Sequence, residues 1–276
     1  MLKVQVINDC ANTTANLIPH LKKEFDIELL LHTRGLWSKT VGLAYRIGKT
    51  HADLYHVNYA LQDAWLAQKL RKLDVLWCHG SDVRTAQYSH YYGWIVKSNI
   101  KNAKCVLYAN LDSPEHLKTR PDAQYMPIPV KTELFTLKSR YSNPPRALYM
   151  PKKTDVFNPH FADICKRVGI SLSIVDRNYS YGDMPKLLQG FDIFVDTFSI
   201  AGNSTLGLEA MSSGLAIVDF RHWNALQQRM EQLTDIEQVK REGAQNRQFV
   251  VLNHDTGAVA EKLARVWQQC AQDMCK

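Results

Sequence analysis

Short apolar runs of strand length recur along the whole chain, and stretches with helical periodicity lie between them. Nine such runs stand out, at residues 2–7, 27–31, 54–57, 75–78, 104–108, 147–150, 171–175, 193–195 and 216–220. An intervening stretch such as 60–73 carries Leu66, Leu70 and Leu73 at the spacing of one helix face. Strand–helix alternation of this kind predicts an α/β protein, with parallel sheets covered by helices on both faces. Nine strands exceed the roughly six of a single Rossmann sheet, so two Rossmann-like domains are expected.

The boundary should fall within residues 127–145, where Met126-Pro127-Ile128-Pro129 and Asn143-Pro144-Pro145 flank a charged, weakly patterned middle. Residues 1–135 then form an N-terminal domain and 136–276 a C-terminal one. The last stretch, 257–270, reads as a helix with Val259, Leu263, Val266 and Trp267 on one face, and it could pack back on the N-terminal domain.

With 276 residues, 45% hydrophobic and 22% charged, the chain has ordinary globular usage and enough length to bury a core. No apolar run approaches the roughly 20 residues of a membrane span. The start alternates as Lys3-Val4-Gln5-Val6-Ile7 and reads as a first structural strand, not a leader. The six cysteines, at 10, 78, 105, 165, 270 and 275, form no C-x-x-C pair and no zinc spacing. They read as reduced thiols in a cytoplasmic protein. The net charge of +7 calls for an anionic partner. A nucleoside diphosphate, an acidic membrane surface and nucleic acid all meet that requirement.

In open α/β sheets, ligands bind where strands end and loops lead into helices, so the polar residues there carry the chemistry. The run Cys78-His79-Gly80-Ser81-Asp82 follows one strand and sets an imidazole and a carboxylate at a sheet edge. Gly80 permits a tight turn, and either Ser81 or Asp82 could serve only to cap the next helix. His79 has no such structural explanation. The run Gly202-Asn203-Ser204-Thr205 follows the strand that ends at Val195 and enters a helix, offering backbone N–H groups and hydroxyls to a phosphate. Asn203 or Ser204 could also be simple caps. Glu209 lies one turn further in and could equally be a solvated surface carboxylate.

Four segments in order resemble retaining GT-B glycosyltransferases of family 4. Leu208-Glu209-Ala210-Met211-Ser212-Ser213-Gly214-Leu215-Ala216-Ile217-Val218 is similar to the family's "lEAMAxGxPVV" signature. His79-Gly80-Ser81-Asp82 resembles its "HGSD" loop, and Asn102-Ala103-Lys104-Cys105-Val106-Leu107-Tyr108 its "ADxVLxxS" strand. Met184-Pro185-Lys186-Leu187-Leu188 through Asp192-Ile193 resembles "(M)PxLLxxxDI". The resemblance covers about residues 53–220 and implies a GT-B fold, two Rossmann-like domains facing across a cleft.

It also implies roles. Glu209 would hydrogen-bond the donor ribose, and Gly202, Asn203, Ser204 and Thr205 would hold the donor diphosphate. His79 would lie near the reacting sugar, with Asn8, Ser81 and Asp82 on the acceptor side. Cationic side chains, not a metal ion, would neutralise the leaving group, so neither metal nor cofactor is expected. The sequence departs from the family pattern at three points. Ala201 stands where a second Glu is usual, which leaves Asp196 as a substitute. In Met150-Pro151-Lys152-Lys153, Lys152 takes the first cationic position, but Phe157 occupies the second, leaving Lys153 to replace it or to be a solvated turn residue. Asn8-Asp9-Cys10-Ala11-Asn12-Thr13-Thr14 replaces a Gly-rich loop.

Residues 33–51 mix Arg34, Lys39, Arg46 and Lys49 with Leu36, Trp37, Val41 and Tyr45. Such a helix could rest on the inner face of an anionic membrane, and a packed surface helix with solvated lysines explains it as well. The function expected is transfer of a sugar from a nucleoside-diphosphate sugar to a sugar or lipid-linked acceptor hydroxyl, with retention. Two alternatives stand beside it: a GT-B protein that binds nucleotide sugars without catalysis, and a GT-B enzyme acting on nucleic acid. No nucleic-acid-reading motif supports the last.

Overall fold

The computed structural model describes residues 1–31, 40–151, 159–176, 178–197 and 204–274. The chain divides into two compact units, Met1–Pro129 with Thr256–Lys276, and Val130–Asp255.

The first unit holds six strands, β1 (Leu2–Ile7), β2 (Phe25–Leu30), β3 (Leu54–Asn58), β4 (Val75–Cys78), β5 (Cys105–Tyr108) and β6 (Gln124–Tyr125). They form one parallel sheet in the order β2-β1-β3-β4-β5-β6. Side chains alternate between its faces, and both faces are covered, so the strands read as near-continuous apolar runs. Val4, Val6, Leu54, Val75, Trp77 and Leu107 join one core with the helix Thr256–Met274. Tyr55, Val57, Leu76, Cys78 and Val106 join the other, beneath the helices Val41–Lys49, Gln62–Lys69 and Gly93–Asn102. The closing helix belongs to this unit. Its Val259, Leu263 and Trp267 are buried, and Trp267 Nε1 donates to Nδ1 of the buried His56 at 2.9 Å.

The second unit holds β7 (Arg146–Tyr149), β8 (Ser171–Ile174), β9 (Ile193–Val195) and β10 (Ala216–Val218), a parallel sheet in the order β10-β9-β7-β8. The proline-flanked stretch after Pro129 is part of this unit. Lys138 is 4% exposed and pairs with the buried Asp192 at 2.7 Å, while Phe135 is fully buried. Asp192 also accepts the backbone N–H groups of Ser142 and Arg146 at 3.1 and 2.9 Å. Within this charged, weakly patterned stretch, one lysine is an internal strut of the second unit.

Two expectations about elements change. The helix placed at 60–73 spans only Gln62–Lys69, because Leu70 closes it and Arg71 takes a left-handed φ of 57°. The face it buries carries Ala64 and Ala67, while Leu70 is 38% exposed. The short strand β6 has no apolar run of its own; it follows β5 by pairing Leu107 with Gln124 and Tyr108 with Tyr125. Cys10, Cys78, Cys105, Cys165 and Cys270 are unpaired. Burial pushes Cys10 and Cys270 up to about 11 and Cys105 and Cys165 to about 12, so these thiols stay protonated.

Candidate functional sites at the two sheet edges

In the first sheet the chain leaves β1 toward β2 on one side, then reaches β3 on the other. That change of direction opens a crevice at the carboxyl ends of β1 and β3. Asn8 ends β1 with a φ of 62°, and Tyr59 follows β3 with a φ of 77°, a conformation that costs a bulky residue on the order of 1–3 kcal/mol. The two strand ends are tied together. Asn58 Nδ2 donates to the Asn8 carbonyl and to Thr14 Oγ1, each at 3.0 Å. Its Oδ1 lies 3.0 Å from His79 Nε2.

That arrangement sets the tautomer of His79. Both N–H donors of Asn58 are in use, so His79 is offered an acceptor and must carry its proton on Nε2. Burial pushes the imidazole down to about 3, so it is neutral, with Nδ1 as its basic atom. Trp77 lies beside the ring, 5.0 Å between centroids. Ser81 hydrogen-bonds the Tyr59 hydroxyl.

Asp82 does something else. Its fully buried carboxylate accepts the N–H groups of Gly80 at 2.8 Å, Ala60 and Val83 at 3.0 Å, and His79 at 3.2 Å. Burial raises its pKa, and these four donors oppose the rise. Asp82 therefore clamps the loop that presents His79 and Ser81. Gly80 has a φ of 111°, and a Cβ on it would come within 2.4 Å of Asn110 Nδ2, itself bonded to the His79 carbonyl at 2.8 Å. No other residue type fits that turn.

In the second unit the helix Thr205–Ser212 follows β9. Ser204 is its N-cap, with Oγ accepting from Gly207 N at 3.0 Å. The amides of Thr205 and Leu206, the first two of the helix, have no acceptor within it. Glu209 lies one turn along and is 6% exposed. Burial lifts its pKa to about 8, and a hydrogen bond with Tyr181 works against that rise. The Tyr181 ring also meets Phe135 edge-on at 5.7 Å.

Asp196 mirrors Asp82. It is 2% exposed, and its two oxygens accept the N–H groups of Thr197 and Ser204, both at 2.8 Å. It holds the amides of Thr197 and Ser204 at once, so neither oxygen is idle. Gly207 packs against this clamp: a Cβ there would lie 2.2 Å from Asp196 Oδ2.

Beyond β10, Asp219 caps a short helix and holds Arg221 through Nε at 2.9 Å and through a guanidinium nitrogen at 2.6 Å. Burial would raise Asp219, but His222 and Arg221 outweigh it and hold the carboxylate at about 2. The Arg221 side chain remains 56% exposed and feels the charge of Asp196.

Lys152, Lys153, Gly202 and Asn203, together with Ala201 and Phe157, lie outside the described residues. His79, Asn8 and Ser81 come together at one edge; Ser204, Thr205 and Glu209 come together at the other. Asn58, Tyr59, Tyr181 and Arg221 were missed from sequence. The strand-end rule applied to β3 and β10 points to Asn58, Tyr59 and Arg221. Nothing in the sequence marks Tyr181. Among the described residues, no cluster of His, Cys, Asp and Glu is placed to hold a metal ion, and no helix is long and apolar enough to cross a membrane.

No protein-family model matches the chain, and no curated protein matches its sequence. Solved structures do match. HepE (Alr3699) of Anabaena, in complex with UDP-glucose, is 11% identical, with a TM-score of 0.68 over 98% of this chain and 100% of that one. A glycosyltransferase from Rickettsia africae ESF-5 is 13% identical, with a TM-score of 0.62 over 97% and 98%. A Listeria monocytogenes protein assigned as a UDP-N-acetylglucosamine 2-epimerase is 12% identical, with a TM-score of 0.59 over 95% and 94%. Likeness of this extent establishes the fold as GT-B, two Rossmann-like α/β units. It establishes the fold alone, because one architecture serves unrelated chemistries.

Proposed function

We propose that the chain is a glycosyltransferase of the family 4 type, moving a sugar from a nucleoside-diphosphate sugar to an acceptor hydroxyl with retention. One arrangement carries this reading: buried Glu209, one turn inside a helix whose first amides have no acceptor within the helix itself. Vicinal pentose hydroxyls donate to a carboxylate, and diphosphate oxygens accept from amides at a helix start. Ser204 and Thr205, with Gly202 and Asn203 before them, are assigned to the donor diphosphate. Lys152 and Lys153 are assigned to its departing charge, where preformed cations act most strongly in the transition state. Arg221, held by Asp219 just after β10, is assigned to the same charge as a third cation. This charge set makes a metal ion unnecessary for the reaction.

The acceptor is assigned to the first unit. His79, neutral with a basic Nδ1, accepts a hydrogen bond from a sugar hydroxyl, while Asn8 and Ser81 supply polar groups beside it. Asp82 and Asp196 act through the loops they clamp.

A second reading keeps donor binding and drops transfer, on the strength of Ala201 where a carboxylate is usual. Product analysis separates the two. The full chain is incubated with UDP-, GDP- and dTDP-sugars and an acceptor panel in the presence of EDTA, then followed by mass spectrometry and NMR. The proposal expects glycosylated product with the donor's anomeric configuration and release of nucleoside diphosphate. Glu209→Ala and Lys152→Ala should each reduce turnover by about 100-fold or more, with unchanged thermal unfolding. Binding without product supports the second reading, and an epimerised donor sugar contradicts both.

A further inference from the structure

The short helix Ser81–Arg84 continues the His79 loop, and from it the chain runs into the helix Gly93–Asn102 as Thr85-Ala86-Gln87-Tyr88-Ser89-His90-Tyr91-Tyr92-Gly93-Trp94. This run holds four large aromatic rings and no Asp, Glu, Lys or Arg. Tyr91 is 78% exposed, Tyr88 63%, Trp94 58% and Tyr92 41%. Rings of this size cost free energy when left in water, and a contiguous patch of them marks a place where something binds.

The rings are held in place. Gly93 N donates to the Ser89 carbonyl at 2.8 Å and Ser89 N to the Ala86 carbonyl at 3.1 Å, folding the run back on itself. A Cβ on Gly93 would come within 2.6 Å of the Gln87 carbonyl oxygen, so the turn needs glycine there. Gln87 is buried, and its Nε2 donates to the His116 carbonyl at 3.1 Å. The Tyr88 hydroxyl hydrogen-bonds His116 Nδ1 at 3.1 Å, His90 meets Tyr91 edge-on at 5.6 Å, and Trp94 meets Trp65 edge-on at 6.1 Å. Rings fixed in this way lose little freedom on binding. The run also leans on the same strand exit as His79. Beyond β5, Asn110 holds the His79 carbonyl, Asp112 accepts from Arg84 Nη1 with both oxygens at 3.0 Å, and His116 ends the helix Ser113–His116. The aromatic surface thus extends the edge to which the acceptor is assigned.

Its chemistry says what covers it. Phosphates of a nucleic acid and the groups of an acidic glycan call for cations, and the run has none. It also lacks Leu, Ile, Val and Met, the aliphatic side chains that would fill the centre of a protein contact. A sugar ring has an apolar C–H face and a rim of hydroxyls, which suits rings that pair an apolar body with a polar tip. We propose that Tyr88, Tyr91 and Trp94 form a subsite for the non-reacting sugars of a neutral glycan acceptor, with aromatic rings packed against sugar C–H faces. Binding energy gained there holds the reacting hydroxyl in place at the strand edge. The enzyme then extends an oligosaccharide or polysaccharide chain. Its place in the reaction rests on the glycosyltransferase reading, whereas glycan binding rests on the aromatic run alone.

The test is binding of the full chain, without donor, to uncharged oligosaccharides of glucose, galactose, mannose, rhamnose and N-acetylglucosamine, with the single sugars as controls. Tryptophan fluorescence and calorimetry follow it. At least one oligosaccharide should bind, about tenfold or more tightly than its single sugar, with an affinity that salt leaves unchanged. Tyr91→Ala combined with Trp94→Ala should weaken that binding by about tenfold or more, whereas Tyr91→Phe, which keeps the ring, should stay within about twofold of wild type. Thermal unfolding of the variants should match wild type, and Tyr91→Ala alone, at the most exposed of the four rings, should already weaken binding by roughly fivefold. Absence of binding to every oligosaccharide, equal affinity for single sugars, undiminished binding by the double variant, or binding of duplex DNA or acidic vesicles in place of glycans would each overturn the subsite. Parallel titration with UDP, GDP and dTDP keeps the two readings apart. Nucleotide binding without glycan binding sinks the subsite alone, and glycan binding without any nucleotide sinks the glycosyltransferase reading while the subsite stands.

Discussion

Two buried carboxylates in the second unit sit in opposite ionisation states, and their donors explain why. Asp219, with Arg221 and His222 around it, is held at about 2, whereas Glu209, with a single phenol donor, is lifted to about 8. Burial therefore keeps Glu209 protonated at neutral pH. A ribose that donates two hydroxyls favours the carboxylate, so binding must expel that proton. Affinity for a nucleoside diphosphate should rise with pH up to about 8 and then level off. Tyr181→Phe removes a donor that works against the rise, so it should move the midpoint to higher pH. Calorimetric titration across that range checks both statements; an affinity indifferent to pH would refute them. Glu209 and His79 stand out in the sequence as candidates because neither has an obvious structural duty beside a strand-end loop. Asp82 and Asp196 were not, since a carboxylate after a strand reads alike whether it faces a ligand or its own loop's amides. Here each spends its oxygens on backbone N–H groups.

At the level of elements, the strand-end loops are held by pairs of a buried aspartate and a glycine. Gly207 lets the helix approach Asp196, and Gly80 supplies a left-handed turn beside Asn110. Gly207→Ala should push Asp196 off the Ser204 amide, costing about 1–3 kcal/mol in urea unfolding and weakening nucleotide binding as well. Gly80→Ala should cost a similar amount and disturb His79 without altering nucleotide binding. Equal stability of either variant and wild type would show that the loops are not clamped in this way. Most strands were legible as apolar runs because both faces of a parallel sheet are buried. The two-residue β6 was not, because its pairing comes from β5 and not from a pattern of its own. The helix at Gln62–Lys69 was overextended for a related reason: Leu70 and Leu73 keep helical spacing, but Arg71 turns the chain between them.

At the level of the molecule, the chain's last helix completes the first unit and Lys138 anchors the second. Trp267→Ala should cost roughly 3–5 kcal/mol, because it opens a cavity beside Phe25 and leaves His56 without its donor. Lys138→Met strands Asp192 in the core and should cost about as much. Thermal and denaturant unfolding measure both, and a loss below about 1 kcal/mol would count against these struts. The alternation of strands and helices made two α/β units legible, but the extents of the units were not. A charged, proline-flanked stretch has the composition of a linker even when one of its lysines is buried. Calorimetric titration of the full chain with UDP, GDP and dTDP, repeated on Glu209→Ala, tests the central claim most directly. The account predicts one site per chain for at least one of these nucleotides, lost on substitution with the fold unchanged. Heat from none of the three and from none of their sugars, or undiminished binding by Glu209→Ala, would contradict it.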